Sequence, residues 1–150
     1  CMIALRDSWT FQPWNLATWS DTATNVLHML TVAEHARLLG VEPALRAVLL
    51  KRAAMYSSIA LSQFDEAYEL LSAARSAHAE AEADDACTLE LANIICELGK
   101  CSRFLGKYEN AEAKLEQALA MFRTWQCDHS DVNPNNNNNN DNNNNDDDDD

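Results

Sequence analysis

Helix breakers are nearly missing from this 150-residue chain, which has three glycines and three prolines. Two of the prolines, Pro13 and Pro134, lie outside the central stretch. The third, Pro43, suits a first helical turn, where its missing N–H costs nothing. No alternating apolar–polar run long enough for a strand pattern is present, and no apolar run is long enough for a membrane span or a signal peptide; Met2 to Leu5 is far too short. Basic residues are few, 11 against 24 acidic, for a net charge of −13. That balance argues against a nucleic-acid backbone as partner, because phosphate recognition needs a basic stripe. The five cysteines have no disulfide-framework spacing, so the expected compartment is reducing: the cytoplasm, with the nucleus as second choice.

Reactive constellations are also wanting. There is no nucleophile elbow, phosphate-binding glycine loop or paired-carboxylate pattern, so catalysis is not expected and no cofactor is implied. Cys96 and Cys101 are five apart and share no helix face, and no second pair joins Cys127 and His129. Cys87, Cys96 and Cys101 read as small buried apolar residues, and His28, His35 and His78 as solvated or partly packed helix residues.

What is present is helical periodicity. The stretch from Leu98-Gly99 through Gly106-Lys107-Tyr108-Glu109-Asn110-Ala111 reads as two short helices folded on each other. Gly106 is placed to end the first in a left-handed cap, and Tyr108 to open the second and wedge between the two. Ala111, Leu115, Ala118 and Phe122 recur at helical spacing, and the alanines allow a neighbouring axis to come close. A shift of 44 positions pairs Phe64 with Tyr108, Ala67 with Ala111, Leu71 with Leu115, Ala74 with Ala118 and Ser62 with Gly106. Met55 falls where Gly99 stands, so packing there is expected to be less close. A further shift places Ala23, Leu27 and Leu30 under Ala67, Leu71 and Ala74, with Asp21 or Thr22 capping and Gly40 ending that helix. Five helices are predicted, over 22–39, 43–61, 64–82, 84–105 and 108–125.

This pattern resembles the tetratricopeptide repeat, in the extended 42–44-residue form similar to that of kinesin light chains. The resemblance implies an all-α fold of antiparallel helix-turn-helix repeats stacked as an α-α solenoid, acting as a protein–protein interaction scaffold. It also implies that the first helices of successive repeats line a groove. Carried onto this chain, the groove residues are Arg52, Tyr56 and Ile59 from one repeat and Asn93, Glu97, Lys100 and Arg103 from the next. With Lys51 nearby, four of the 11 basic residues fall there, which points to an extended or acidic peptide as ligand.

Composition divides the chain into a flank at 1–20, a helical repeat domain at 21–127 and an Asn/Asp-rich tail at 128–150. The flank carries Trp9, Trp14 and Trp19 and is expected to cap the first helix or belong to a preceding region. The tail is expected to be disordered, since it has little apolar surface to bury. It holds eight acidic residues and no lysine or arginine, which leaves the first 127 residues with 11 basic against 16 acidic. Its flexible span of about 25 Å brings the five terminal aspartates within reach of Arg52, Lys100 and Arg103. The opening at Cys1, without an N-terminal capping repeat, leads us to expect a fragment of a larger protein. The alternative function is a regulatory helical arm of a multidomain enzyme whose catalytic domain lies elsewhere.

Overall fold

The computed structural model describes residues 2–81 and 89–130. Among these residues six α-helices follow one another: α1 (Met2–Asp7), α2 (Trp19–Leu39), α3 (Pro43–Ala60), α4 (Phe64–Glu80), α5 (Leu89–Phe104) and α6 (Tyr108–Ser130), with one 3-10 turn at Leu16–Thr18. No strand occurs among the described residues. Each helix packs on the next along the chain, and α1 and α5 also touch α3.

Local chemistry sets the helix ends. Gly40 takes a left-handed φ of 63°, and the N–H groups of Gly40 and Val41 donate back to the carbonyls of Arg37 and Ala36. Pro43 then opens α3. Gly106, at φ 74°, closes α5 in the same way, with its N–H and that of Lys107 donating to Arg103 and Ser102. The equivalent residue 44 positions earlier is Ser62, which is forced into the same region at φ 55°. A side chain with a Cβ is strained there. Ser62→Gly should therefore raise unfolding stability by about 1 kcal/mol in a denaturant titration. A variant no more stable than the parent would show that this turn relaxes without strain.

The 44-residue offset holds in three dimensions. α3 ends at Ala60 and α5 at Phe104; α4 opens at Phe64 and α6 at Tyr108. Ala67, Ala74, Ala111 and Ala118 are all buried, as is Leu71. With Ala54, Ile94, Leu98 and Cys101 these α4 residues form the core that joins α3, α4 and α5. Gly99 sits in the α5–α6 seam: a Cβ there would lie 2.8 Å from Leu115 Cγ, so α5 and α6 approach more closely than a side chain permits.

The earlier extension to α2 is out by one residue. Leu27 and Leu38 are exposed, and the buried stripe is Thr22, Val26, Met29, Ala33 and Ala36. Thr22, Val26 and Met29 match Ala67, Leu71 and Ala74 at an offset of 45. Leu27 and Val26 are both apolar, so periodicity alone does not say which faces inward. At the far end of the α3–α4 pair, Arg46 is buried and its Nη2 donates to Glu80 Oε2 at 2.5 Å, tying the start of α3 to the end of α4.

Boundaries differ from the sequence reading at several places, and first at α2, which opens at Trp19 with Thr18 at its N-cap, so neither Asp21 nor Thr22 caps it. The flank at 1–20 contains α1, which periodicity missed: six residues are too few to show a pattern, and none of them is buried. It packs on α2 and α3 through the aromatic residues that follow it. Phe11 is buried, its ring centroid 5.5 Å from Trp9, 6.2 Å from Trp19 and 5.6 Å from Tyr56. Phe11→Ala should cost about 3 kcal/mol and shift the tryptophan emission to the red. Unchanged emission and stability would mean that the flank does not anchor the array. At the other end, 128–130 form the last turn of α6 rather than the start of the tail. The rest of the expected disordered tail, 131–150, and the predicted start of the fourth helix at 84 lie outside the described residues.

Candidate functional site

α3 and α5 run side by side as the first helices of their pairs, and a groove of about 470 Å³ opens between them. Met55, Ile59, Phe64 and Phe104 give it apolar walls, and Glu97 and Lys100 supply its charge. The groove exists because each first helix turns one face to its own partner helix and leaves the opposite face over. Phe64, the first residue of α4, stacks on Phe104, the last of α5, with centroids 4.3 Å apart and planes 11° from parallel. This stack bridges the two pairs at one end of the groove.

Three of the seven expected groove residues meet here: Ile59, Glu97 and Lys100. Tyr56 does not; it is buried against Phe11 in the flank's aromatic cluster. Arg52 is turned the same way. Its Nη1 donates to the Arg6 carbonyl, and its guanidinium lies 5.6 Å from the Trp9 ring centroid. Burial pushes the Arg52 pKa down, with Arg6 adding to the effect and Glu90 and Asp7 opposing it. Asn93 is half-buried on α5 and lies outside the groove lining, and Arg103 is exposed beside it, 5.0 Å from the Phe104 centroid. Met55, Ser58, Ser62, Phe64, Cys101 and Phe104 complete the lining and were not expected. The 44-residue offset held the signal for Phe64, because it aligns this ring with Tyr108 at a helix start. Tyr108 itself is 70% exposed and wedges between no helices.

Electrostatically the groove is quieter than its basic residues suggest. Lys100 Nζ donates to Glu97 Oε1 at 2.6 Å. Burial opposes the lysine's charge, but the hydrogen bond and field of Glu97 outweigh it and hold its pKa above the ordinary value. Lys51, adjacent to Arg52, lies 2.7 Å and 2.8 Å from the two oxygens of Glu90 and so bridges α3 to α5. Of the four cations counted from sequence, Lys51 is thus matched across helices, Lys100 within its own helix, and Arg52 is turned to the flank.

Cys101 lines the groove with its thiol buried. Desolvation pushes its pKa up to about 11, Glu97 adds to the rise, and Lys100 partly offsets it. A thiol raised in the folded state favours folding below its unfolded value, and that contribution is lost as pH climbs through about 11. Neutral-pH alkylation should therefore mark the exposed Cys127 well before Cys101, as read by peptide mapping. Equal rates would mean that the groove floor is open to reagent.

No group of three or more His, Cys, Asp or Glu side chains is placed to hold a metal among the described residues, and no described helix is long and apolar enough to cross a membrane. No protein-family model matches the chain, and neither a curated protein nor a solved structure is significantly similar to it.

Proposed function

We propose that this chain is a protein–protein interaction scaffold of the tetratricopeptide-repeat kind, its helix pairs stacked as an α-α solenoid, and that the α3–α5 groove holds an extended segment of a partner protein. The observation that carries this reading is the pair of helix hairpins set 44 residues apart, with matching helix ends and left-handed turns, which leaves a groove between their first helices. The lining refines the expected ligand. Met55, Ile59, Phe64 and Phe104 offer an apolar seat, while Lys100 is already engaged by Glu97. An aliphatic or aromatic anchor therefore supplies most of the affinity, and an acidic neighbour contributes only by displacing Glu97 from Lys100. Neither a cofactor nor a nucleic acid or membrane has a role in this reading.

The test is selection from a random peptide display library on the full chain, with Ile59→Asp as the counter-target. Enriched peptides should share an apolar anchor and lose at least about tenfold in affinity against Ile59→Asp, or about 1.4 kcal/mol. Phe104→Ala should weaken the same peptides. Failure to enrich any motif, or peptides indifferent to both variants, would overturn the assignment.

A further inference from the structure

On the opposite side of the first helices, the second helices leave two equivalent clefts. One lies between α2 and α4, with Arg46 and Leu50 of α3 in its lining; its volume is about 460 Å³. The other lies between α4 and α6, with Leu98 of α5 in its lining; its volume is about 370 Å³. Leu70 lines the first, and Lys114, 44 positions later, lines the second.

The two clefts treat charge differently. In the first, each cation has a carboxylate in the same lining: Arg37 Nη2 is 2.7 Å from Glu34 Oε1, and Arg46 Nη2 is 2.5 Å from Glu80 Oε2. In the second, the polar lining is Tyr68, Ser72, Arg75, Ser76 and Lys114, and no carboxylate is among the described residues that line it. Arg75 has no ion-pair partner among the described residues. Lys114 donates only to the neutral Asn110 side chain, and its Nζ lies 5.9 Å from the Tyr68 ring centroid. Lys107 lies over the same ring at 5.3 Å. Arg75 and Lys114 therefore line this cleft and Lys107 stands next to it over the Tyr68 ring, none of the three with a carboxylate partner among the described residues, in a chain whose net charge is −13.

We propose that the α4–α6 cleft binds the chain's own C-terminal aspartate run. Residues 131–150 contain seven aspartates and no lysine or arginine, and they continue from Ser130, the last residue of α6. α6 forms one wall of the cleft. From Ser130 back to Lys114 is about 24 Å at the rise of an α-helix. A flexible chain of twenty residues would span about 25 Å, enough for Asp146–Asp150 to meet Lys114 and Arg75 short of full extension. Tethering keeps the run at a high effective concentration over the cleft, and the contact is screened by salt because the cations lie near the surface. The α3–α5 groove is the weaker rival for this segment: Lys100 and Lys51 are paired and Arg52 is covered by the flank, which leaves Arg103 as its one neighbouring cation without a carboxylate partner among the described residues.

The test compares two full-length chains, the natural one and one carrying Asp→Asn at all five positions 146–150. NMR signals of the Arg75 side chain, the Lys107 and Lys114 side chains and the Tyr68 ring should differ between them at about 20 mM salt and coincide at about 0.5 M. Arg75→Gln combined with Lys114→Gln in the natural chain should erase the low-salt difference. A free peptide of residues 131–150 should bind the Asn-tailed chain at least about tenfold more tightly than the natural chain, whose own tail competes. Coincident spectra at low salt would overturn the proposal, as would differences centred on Lys100 and Arg103. Shifts that grow with protein concentration would place the tail of a second copy in the cleft and would also overturn the intrachain contact.

Discussion

Gly99→Leu should destabilise the protein by about 3 kcal/mol, at the upper end of what overpacking a tight seam costs. A Cβ alone at this position would sit 2.8 Å from Leu115 Cγ, 2.9 Å from Leu115 Cδ2 and 3.3 Å from the Ala111 carbonyl oxygen. The leucine contacts yield by a change of rotamer. The carbonyl belongs to the α6 backbone and yields only if the helix moves. Replacing glycine inside a helix recovers about 1 kcal/mol of propensity, which is too little to offset the clash. Leu115→Ala in the same chain removes the side-chain part of the clash, so the double variant should be more stable than the two single costs predict. Chemical denaturation followed by circular dichroism measures all three. A Gly99→Leu chain that unfolds at the parental midpoint would show that α5 and α6 are further apart than described.

Leu71→Ala should be as damaging or more so, at about 2–5 kcal/mol. Leu71 is 1% exposed and lies in the cluster that joins α3, α4 and α5. Its cluster neighbours Ala54, Ala67 and Ala74 have no side chains able to swing into the space vacated, and Ile94 and Leu98 are already fully packed. The cavity should therefore persist. Leu115, the equivalent residue in the next pair, is only half-buried and should cost less when truncated. A ranking in which Leu115→Ala is the worse of the two would undo the placement of the core at α4.

The sequence was legible where chemistry acts within one helix turn. Gly40 and Gly106 announced their caps, Pro43 its helix start, and Ala67, Leu71 and Ala74 the buried stripe of α4. The groove was legible only in part. Helical phase gives the direction of Tyr56 and Arg52 but not what lies over them, and that is decided by Phe11 and Trp9, more than forty residues upstream. Counting basic residues on α3 and α5 likewise could not reveal that Lys51 finds Glu90 on the other helix. The Phe64–Phe104 stack joins two helix pairs, so neither pair alone contains its signal.

The order of packing described above also bears on how fast the chain folds. Every helix rests on its immediate neighbours, and the longest-range packing between described helices skips only one, as when α1 and α5 meet α3. Closing such short loops costs little entropy, so native contacts can accumulate from any hairpin outward without a distant partner. Refolding should proceed in milliseconds or less, the range of helical proteins rich in local contacts. The α3–α4 and α5–α6 hairpins are each self-complementary starting points, and the chain needs no particular end to begin.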